Sequence, residues 1–290
     1  MPRFFIEPSQ IGTAGDGSRT VLIMGDDAAH ITKSLRMKPG ERVTVCDGDC
    51  GEYDCVVRKT GDTVTLDVCE ERRSASEPPY RAVVYQALVK GDKFDTVIQK
   101  AAECGACRIV PFMSERCVVR LTEKDAEKKH SRWQRIALEA AKQCGRGRVP
   151  EVAPLMDFSS AVREAAKSSI ALFCYEDERG LSLPAALKSA KVTESVGTAD
   201  SAKVTESIGT ADSAKVTESV GTADSAGALE NAEVPESISV MIGSEGGFSS
   251  AEAAEAAQCG MRSVSLGRRI LRTETASSFV LACLSFAYEL

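Results

Sequence analysis

Histidine is scarce: His30 and His130 are the only two among 290 residues. A zinc site usually needs four ligands of the histidine and cysteine type, often as paired motifs. One CxxC occurs, Cys104-Gly105-Ala106-Cys107, with no second pair and no HxxxH beside it, so no metal site is expected. No run of 18 or more apolar residues occurs, which excludes a membrane-spanning helix from the expectation. The opening Met1-Pro2-Arg3-Phe4-Phe5-Ile6 has too short an apolar stretch for a secretory signal. A chain without either segment is expected in the cytoplasm, away from membranes. Its 11 cysteines then read as reduced, mostly buried thiols that pack as small apolar groups. With 43% apolar and 27% charged residues, the composition is that of an ordinary globular protein, which excludes wholesale disorder. A net charge of −6 argues weakly against a nucleic-acid partner.

The pattern changes character along the chain. Residues 1–73 read as a small β-rich domain: Thr20–Met24 is an apolar run, and Arg42–Cys46, Glu52–Val57 and Asp62–Val68 alternate. Asp47-Gly48 and Thr60-Gly61-Asp62 are turn signals between those strands. Residues 74–79, polar and ending in Pro78-Pro79, read as a linker. From residue 80 to 290, strand and helix patterns alternate, which predicts an α/β domain with a mostly parallel sheet. Within it, residues 189–226 hold three copies of a twelve-residue unit, SAKVTES[VI]GTAD, differing only at Val196, Ile208 and Val220. Two Val or Ile per unit bury too little surface for a solenoid, so a solvated low-complexity insertion is expected there.

Three segments carry candidate chemistry. The first is a strand and loop, Gln86-Ala87-Leu88-Val89-Lys90-Gly91-Asp92-Lys93, leading to a second strand and the turn Ser114-Glu115-Arg116. It reads either as an exposed charged loop or as a phosphate- or RNA-contacting edge at strand C-termini. The second is a helix with Arg132-Trp133, Arg135, Glu139 and Gln143, ending in Gly145-Arg146-Gly147-Arg148. Its polar residues fit a buried network or a base-reading surface equally well. The third is Met241-Ile242-Gly243-Ser244-Glu245-Gly246-Gly247-Phe248-Ser249, followed by Leu266-Gly267-Arg268-Arg269-Ile270-Leu271-Arg272-Thr273-Glu274-Thr275-Ala276. Glycines after a strand let backbone amides approach a ligand closely. The spacing is neither that of a dinucleotide fingerprint nor that of a P-loop.

Ile242-Gly243-x-Glu245-Gly246-Gly247-Phe248, followed by Leu266-Gly267-x-Arg269-Ile270-Leu271-Arg272-x-Glu274-Thr275-Ala276, resembles the RsmE family. These are bacterial 16S rRNA (uracil-N3)-methyltransferases of the SPOUT superfamily. The resemblance extends through Lys90-Gly91-Asp92-Lys93, Gln99-Lys100, Glu103, Pro111, Ser114-Glu115-Arg116, Arg132-Trp133, Glu139-Ala140-x-x-Gln143-x-x-Arg146 and His30 with Leu35-Arg36 and Gly40. It implies a PUA-like β-barrel for RNA over 1–73 and a SPOUT methyltransferase domain with a deep trefoil knot over 80–290. It also implies a homodimer through the knot region, S-adenosyl-L-methionine as methyl donor, and 16S rRNA of the small ribosomal subunit as partner. Carried over by position, Leu172, Gly243, Glu245, Gly246, Gly247, Leu266, Gly267, Ile270 and Leu271 would contact the donor. The family usually has proline where this chain has Ser244, which predicts a looser loop, and the repeats are foreign to its pattern.

Methylating uracil N3 requires loss of an imide proton and stabilisation of charge on the ring oxygens. Arg272 is expected near the base, because a guanidinium stays cationic and presents a fixed fork of N–H groups. Glu274 would orient it or relay the proton. Arg116, Arg132 and Arg146 are expected to contact RNA, and Lys90 and Lys93 its phosphates. Another SPOUT enzyme, acting on ribose 2′-O or on tRNA, and a non-catalytic RNA-binding assembly factor are the competing expectations. The charge supports an RNA partner once it is divided: residues 81–148 carry 15 basic and 8 acidic groups, and three arginines fall within 268–272. The acidic average conceals a basic stretch.

Overall fold

The alternating segments of the first 73 residues form one six-stranded sheet. In the computed structural model, which describes residues 1–15, 17–193 and 234–290, its strands are β1 (Arg3–Phe5), β2 (Ile11–Thr13), β3 (Arg19–Ile23), β4 (Arg42–Cys46), β5 (Gly51–Lys59) and β6 (Val64–Arg73). Their order is β1-β4-β5-β6-β3-β2, antiparallel except for β1 on β4. Period-two alternation sends Val21, Ile23, Val43, Val45, Val57, Val64 and Leu66 into one core. A short helix, α1 (Gly25–Ala29), and the turn after it cover that core with Ala28 and Ile31. The expected closed barrel is corrected here. β1 and β2 stand at opposite ends of the strand order, and each is three residues long with one partner strand. Two such short strands leave no ladder to join the ends, so the sheet curls around its core without closing.

The second unit runs β7 (Arg81–Ala87), α2 (Lys93–Glu103), β8 (Arg108–Met113), α3 (Glu123–Cys144), β9 (Glu151–Val152), β10 (Met156–Asp157), α4 (Phe158–Ala165), β11 (Ile170–Cys174), α5 (Leu183–Thr193), β12 (Ser237–Ile242), α6 (Ser250–Gln258), β13 (Arg262–Val264) and α7 (Thr273–Tyr288). All pairings are parallel, in the order β10-β8-β7-β12-β11-β13, with β9 beside β8. Helices cover most of β7, β11 and β12, which is why these strands are near-continuous apolar runs. α3 starts at the Thr122 cap, whose Oγ1 accepts from the Asp125 N–H, and stops at Gly145, with φ at +82°. The repeat insertion expected over 189–226 lies, from residue 194 onward, outside the described residues; α5 runs into its first five positions. No helix among the described residues is long and apolar enough to cross a membrane.

Between the two sheets, the stretch read as a linker holds a carboxylate that fixes their junction. Glu77 accepts from Arg146 Nη2 at 2.5 Å and Nε at 3.2 Å, and from the Gly147 and Arg148 N–H groups at 3.1 Å each. Arg146 Nη1 donates to the carbonyls of Ala102 and Ala106. From the first unit, Arg3 reaches the Arg146 carbonyl at 3.3 Å, Asp27 pairs with Lys142 at 3.2 Å and Asp49 with Arg148 at 2.7 Å. Arg146 is 3% exposed, with its guanidinium spent inside the fold. It is therefore removed from the RNA-contacting set: its charge is consumed by Glu77 and two carbonyls. Breaking this buried pair leaves an uncompensated cation. Glu77→Ala is expected to lower stability by about 3–5 kcal/mol, read from urea unfolding with an unchanged m-value.

Candidate active site

Because β12 enters the sheet between β7 and β11, the C-terminal ends of β7, β12, β11 and β13 lie side by side. Open parallel sheets place ligands at that edge. Beyond β12 the chain turns sharply: the Gly247 N–H donates to the Ser244 carbonyl at 3.0 Å, and Gly247 takes φ of +66°. A Cβ on Gly247 would lie 1.6 Å from Glu176 Oε1, and one on Gly246 3.1 Å from the Arg116 Cβ. Gly247 therefore needs glycine for its conformation, while Gly246 needs it for the close approach of Arg116.

Phe248 pins the end of this loop. Its ring is fully buried, 4.2 Å from that of Phe173 and 6.0 Å from that of Phe158, and stacked parallel to Phe112 at 6.3 Å. The next residue opens α6 through a reciprocal capping box: Ser249 Oγ accepts from the Glu252 N–H and Glu252 from the Ser249 N–H. Glu252, itself buried, also accepts from the Glu115 N–H at 2.8 Å, which docks the turn Ser114-Glu115-Arg116 beside the glycine loop. Arg116 Nη1 then donates to the Gly246 carbonyl at 3.1 Å. The loosening expected from Ser244 is offset: its hydroxyl is buried and donates to the Arg116 carbonyl at 3.2 Å. A side-chain hydrogen bond takes over part of the restraint that a proline ring would supply.

A second lock joins the loop to α7. Gln86, at the end of β7 and fully buried, donates from Nε2 to Thr273 Oγ1 at 2.9 Å and to the Gly243 carbonyl at 3.3 Å. Thr273 Oγ1 donates to the same carbonyl at 2.6 Å. On the outer side, Glu245 Oε1 accepts from the Lys90 N–H and from Lys93 Nζ, both at 3.2 Å. Desolvation raises the Glu245 pKa, but hydrogen bonds from its own amide, from Lys90 and from Lys93 outweigh that and hold it below its ordinary 4.5.

The expected site residues are placed unequally. Gly243, Glu245, Gly246 and Gly247 form the turn itself, and Leu266, Gly267 and Leu271 lie on the neighbouring loop after β13, with Leu266 and Leu271 packed on the core. Ile270, on the same loop, is 97% exposed and touches no cleft of this single chain. Leu172 is corrected: it sits two residues inside the end of β11, fully buried between Val240 and Arg262 in register, and lines no loop. Arg272 caps α7 with its side chain exposed and without a partner among the described residues; Glu274 follows in the first turn. Lys90 is likewise exposed, whereas Arg132 pairs with Asp95 and, at 3.6 Å, with Asp92. Sequence reasoning assigned no role to Gln86, Thr273 or Glu176. A lone glutamine closing an apolar strand was the one legible signal.

A nucleoside-type donor fits these loops. Gln86 Oε1 is buried without a hydrogen-bond partner among the described residues, next to the Gly243 carbonyl of the turn, and Arg272, at the N-cap of α7, is exposed and unpaired among the described residues. Comparison with known proteins agrees. A model described as "RNA methyltransferase domain" matches residues 76–198 and 188–285, and one described as "RNA methyltransferase PUA domain" matches 23–69. Ribosomal RNA small subunit methyltransferase E of Bacillus subtilis is 30% identical over 100% of this chain and 98% of its own length. The protein of the same name from Mesomycoplasma hyopneumoniae is 25% identical over 97% of each. Among solved structures, a candidate methyltransferase of Legionella pneumophila in complex with S-adenosylmethionine superposes with a TM-score of 0.73 at 25% identity. It covers 99% of this chain and 98% of its own.

Two outcomes follow from this geometry. Gly247→Ala is expected to weaken S-adenosylmethionine binding at least about tenfold by calorimetry, since a Cβ strains the turn at φ of +66° and displaces the Glu176 carboxylate that holds the Phe248 N–H. Glu245, its folded pKa depressed, contributes stability above the unfolded value near 4.5 and loses it as pH falls through the lower folded value. Melting temperatures taken from pH 7 to pH 3 should therefore fall further for the wild type than for Glu245→Gln.

Proposed function

Because the chain belongs to the ribosomal RNA small subunit methyltransferase E family, and is a methyl-donor-dependent rRNA methyltransferase, we propose that it methylates N3 of one uridine in 16S rRNA near the decoding region. The observation that carries the proposal is the juxtaposition of the glycine turn with Arg272 and Glu274 at the start of α7, tied together by Gln86 and Thr273. When bound, S-adenosylmethionine supplies an electrophilic methyl group on a sulfonium. The glycine turn and the Leu266–Leu271 loop hold the donor by backbone groups and apolar contact, and Phe248 and the Ser114–Arg116 turn keep the cradle rigid. Arg272 donates to the ring oxygens of the base as negative charge spreads onto them. Glu274 takes the N3 proton, and the nitrogen's electron pair would form the new N–C bond as the methyl carbon's bond to sulfur breaks, that electron pair staying on sulfur in a neutral thioether that leaves as S-adenosylhomocysteine. An N3 target is on the pairing edge, so the base must be unpaired or flipped.

The finer assignments of fold and assembly belong to the same proposal. A trefoil knot is supported by the strand order: β12 lies inside β11, β13 outside it, and α7 returns to pack on α2, β7 and β12. A homodimer through that region is supported by the exposure of Ile270, Phe286 and Leu290, large apolar side chains that a second copy would cover. Lys90 and Arg116, both exposed, remain the RNA-facing candidates of the basic stretch, with Arg132 partly neutralised by its aspartates. The place of action is the cytoplasm, where small-subunit RNA is found.

The test is mass spectrometry of nucleosides from small ribosomal subunits incubated with the protein and labelled donor. The expected product is N3-methyluridine in 16S rRNA. Label on ribose or on tRNA alone would overturn the assignment, as would absence of donor binding at millimolar concentration. Arg272→Lys is expected to lower kcat about 100-fold, because the guanidinium fork is lost while charge is kept.

A further inference from the structure

Lys93 stands at a position where a cation is disfavoured. It is the first residue of α2, facing the positive end of the helix dipole, with Asp92 as the preceding cap. Its ammonium is turned to two carboxylates from distant parts of the chain, 3.2 Å from Glu245 Oε1 in the glycine loop and 4.0 Å from Glu274 Oε2 at the start of α7. Glu274 Oε2 is buried and has no hydrogen-bond partner among the described residues. An ionised oxygen in that situation is costly unless a charge lies near it. Lys93 is the cation set against it; beyond Lys93 lies Glu245, Arg272 precedes in the chain, and the other polar groups of that turn, Gln86 and Thr273, are uncharged.

We infer that Lys93 is a positioning residue for the reaction rather than a phosphate contact: it ties the glycine loop to α7 and fixes the buried oxygen of Glu274, so that the carboxylate is held in one orientation toward the base. This rests on the proton-accepting role proposed for Glu274. Lysine suits the task, since a compact ammonium on a flexible stem can serve two carboxylates that do not share a plane. The same arrangement explains why Glu245 is held on its outer side by both the Lys90 amide and Lys93. The bridge spans the donor-side loop and the base-side helix, so the two halves of the site are set relative to each other through one side chain.

The experiment uses the full chain and the variants Lys93→Met, Lys93→Arg and, should the first fail to fold, Lys93→Gln. Carboxyl 13C NMR of Glu274 at fixed pH, without substrate, is expected to show its resonance displaced and broadened in Lys93→Met and near wild type in Lys93→Arg. With small ribosomal subunits and labelled donor, Lys93→Met should lower kcat about 10–100-fold. Donor affinity and the KM for subunits should change by less than about threefold, and Lys93→Arg should recover most of the rate. A raised KM with a shallower salt dependence and unchanged kcat would make Lys93 a phosphate contact and overturn the inference. An unmoved Glu274 resonance would overturn it as well. Wild-type protein inactive on every rRNA, with the Glu274 resonance still dependent on Lys93, would instead refute the functional reading alone.

Discussion

Burial of the Phe248 ring is the constraint on which the site depends. A phenylalanine removed from water among Phe112, Phe158 and Phe173 is worth on the order of 3–5 kcal/mol against truncation. It follows the three-glycine turn directly, so the turn must fold back on itself to let the ring in. That return brings Glu176 against Gly247, places the Phe248 N–H 3.1 Å from the same carboxylate, and starts α6 at Ser249. Each polar contact around the loop is individually modest, about 1 kcal/mol net. Their geometry is nevertheless imposed by one apolar anchor.

The structure applies a single device twice: a buried polar side chain joins segments far apart in sequence. Gln86 and Thr273 share the Gly243 carbonyl across the sheet edge, and Glu77 gathers Arg146 with two backbone amides at the junction of the two units. In both places a missing partner would strand a desolvated group, so the arrangement is all or nothing. A junction of that kind holds the two sheets at a fixed angle, as an enzyme needs when one unit grips RNA and the other presents a methyl group.

Much of this was legible in the residues themselves. From residue 80 the expected alternation of strands and helices is found, with every strand pairing parallel, because apolar strands followed by amphipathic helices leave little choice of layer. The glycine turn was legible because only glycine permits its conformation and close approach. What escaped was tertiary. Leu172 was assigned to the donor by position, yet its side chain is wholly enclosed in the core of the parallel sheet. The helix end carrying Arg146 read equally well as a buried network or a base-reading surface, and only the fold reveals that Glu77, sixty-nine residues earlier, waits beneath it. Barrel closure also depends on whether two short end strands meet, a distance that no alternation pattern encodes. β1, β2, β9 and β10, of two or three residues each, are too brief for any periodicity to register.

The connection that carries the repeats leaves from the end of α5 and returns at the start of β12, the edge of the sheet opposite the catalytic loops. Twelve-residue units that differ only at Val196, Ile208 and Val220 stand in that connection, and β12 beyond it keeps its register against β11 and β7. Length added between α5 and β12 thus leaves the strand that presents the glycine turn where the site needs it.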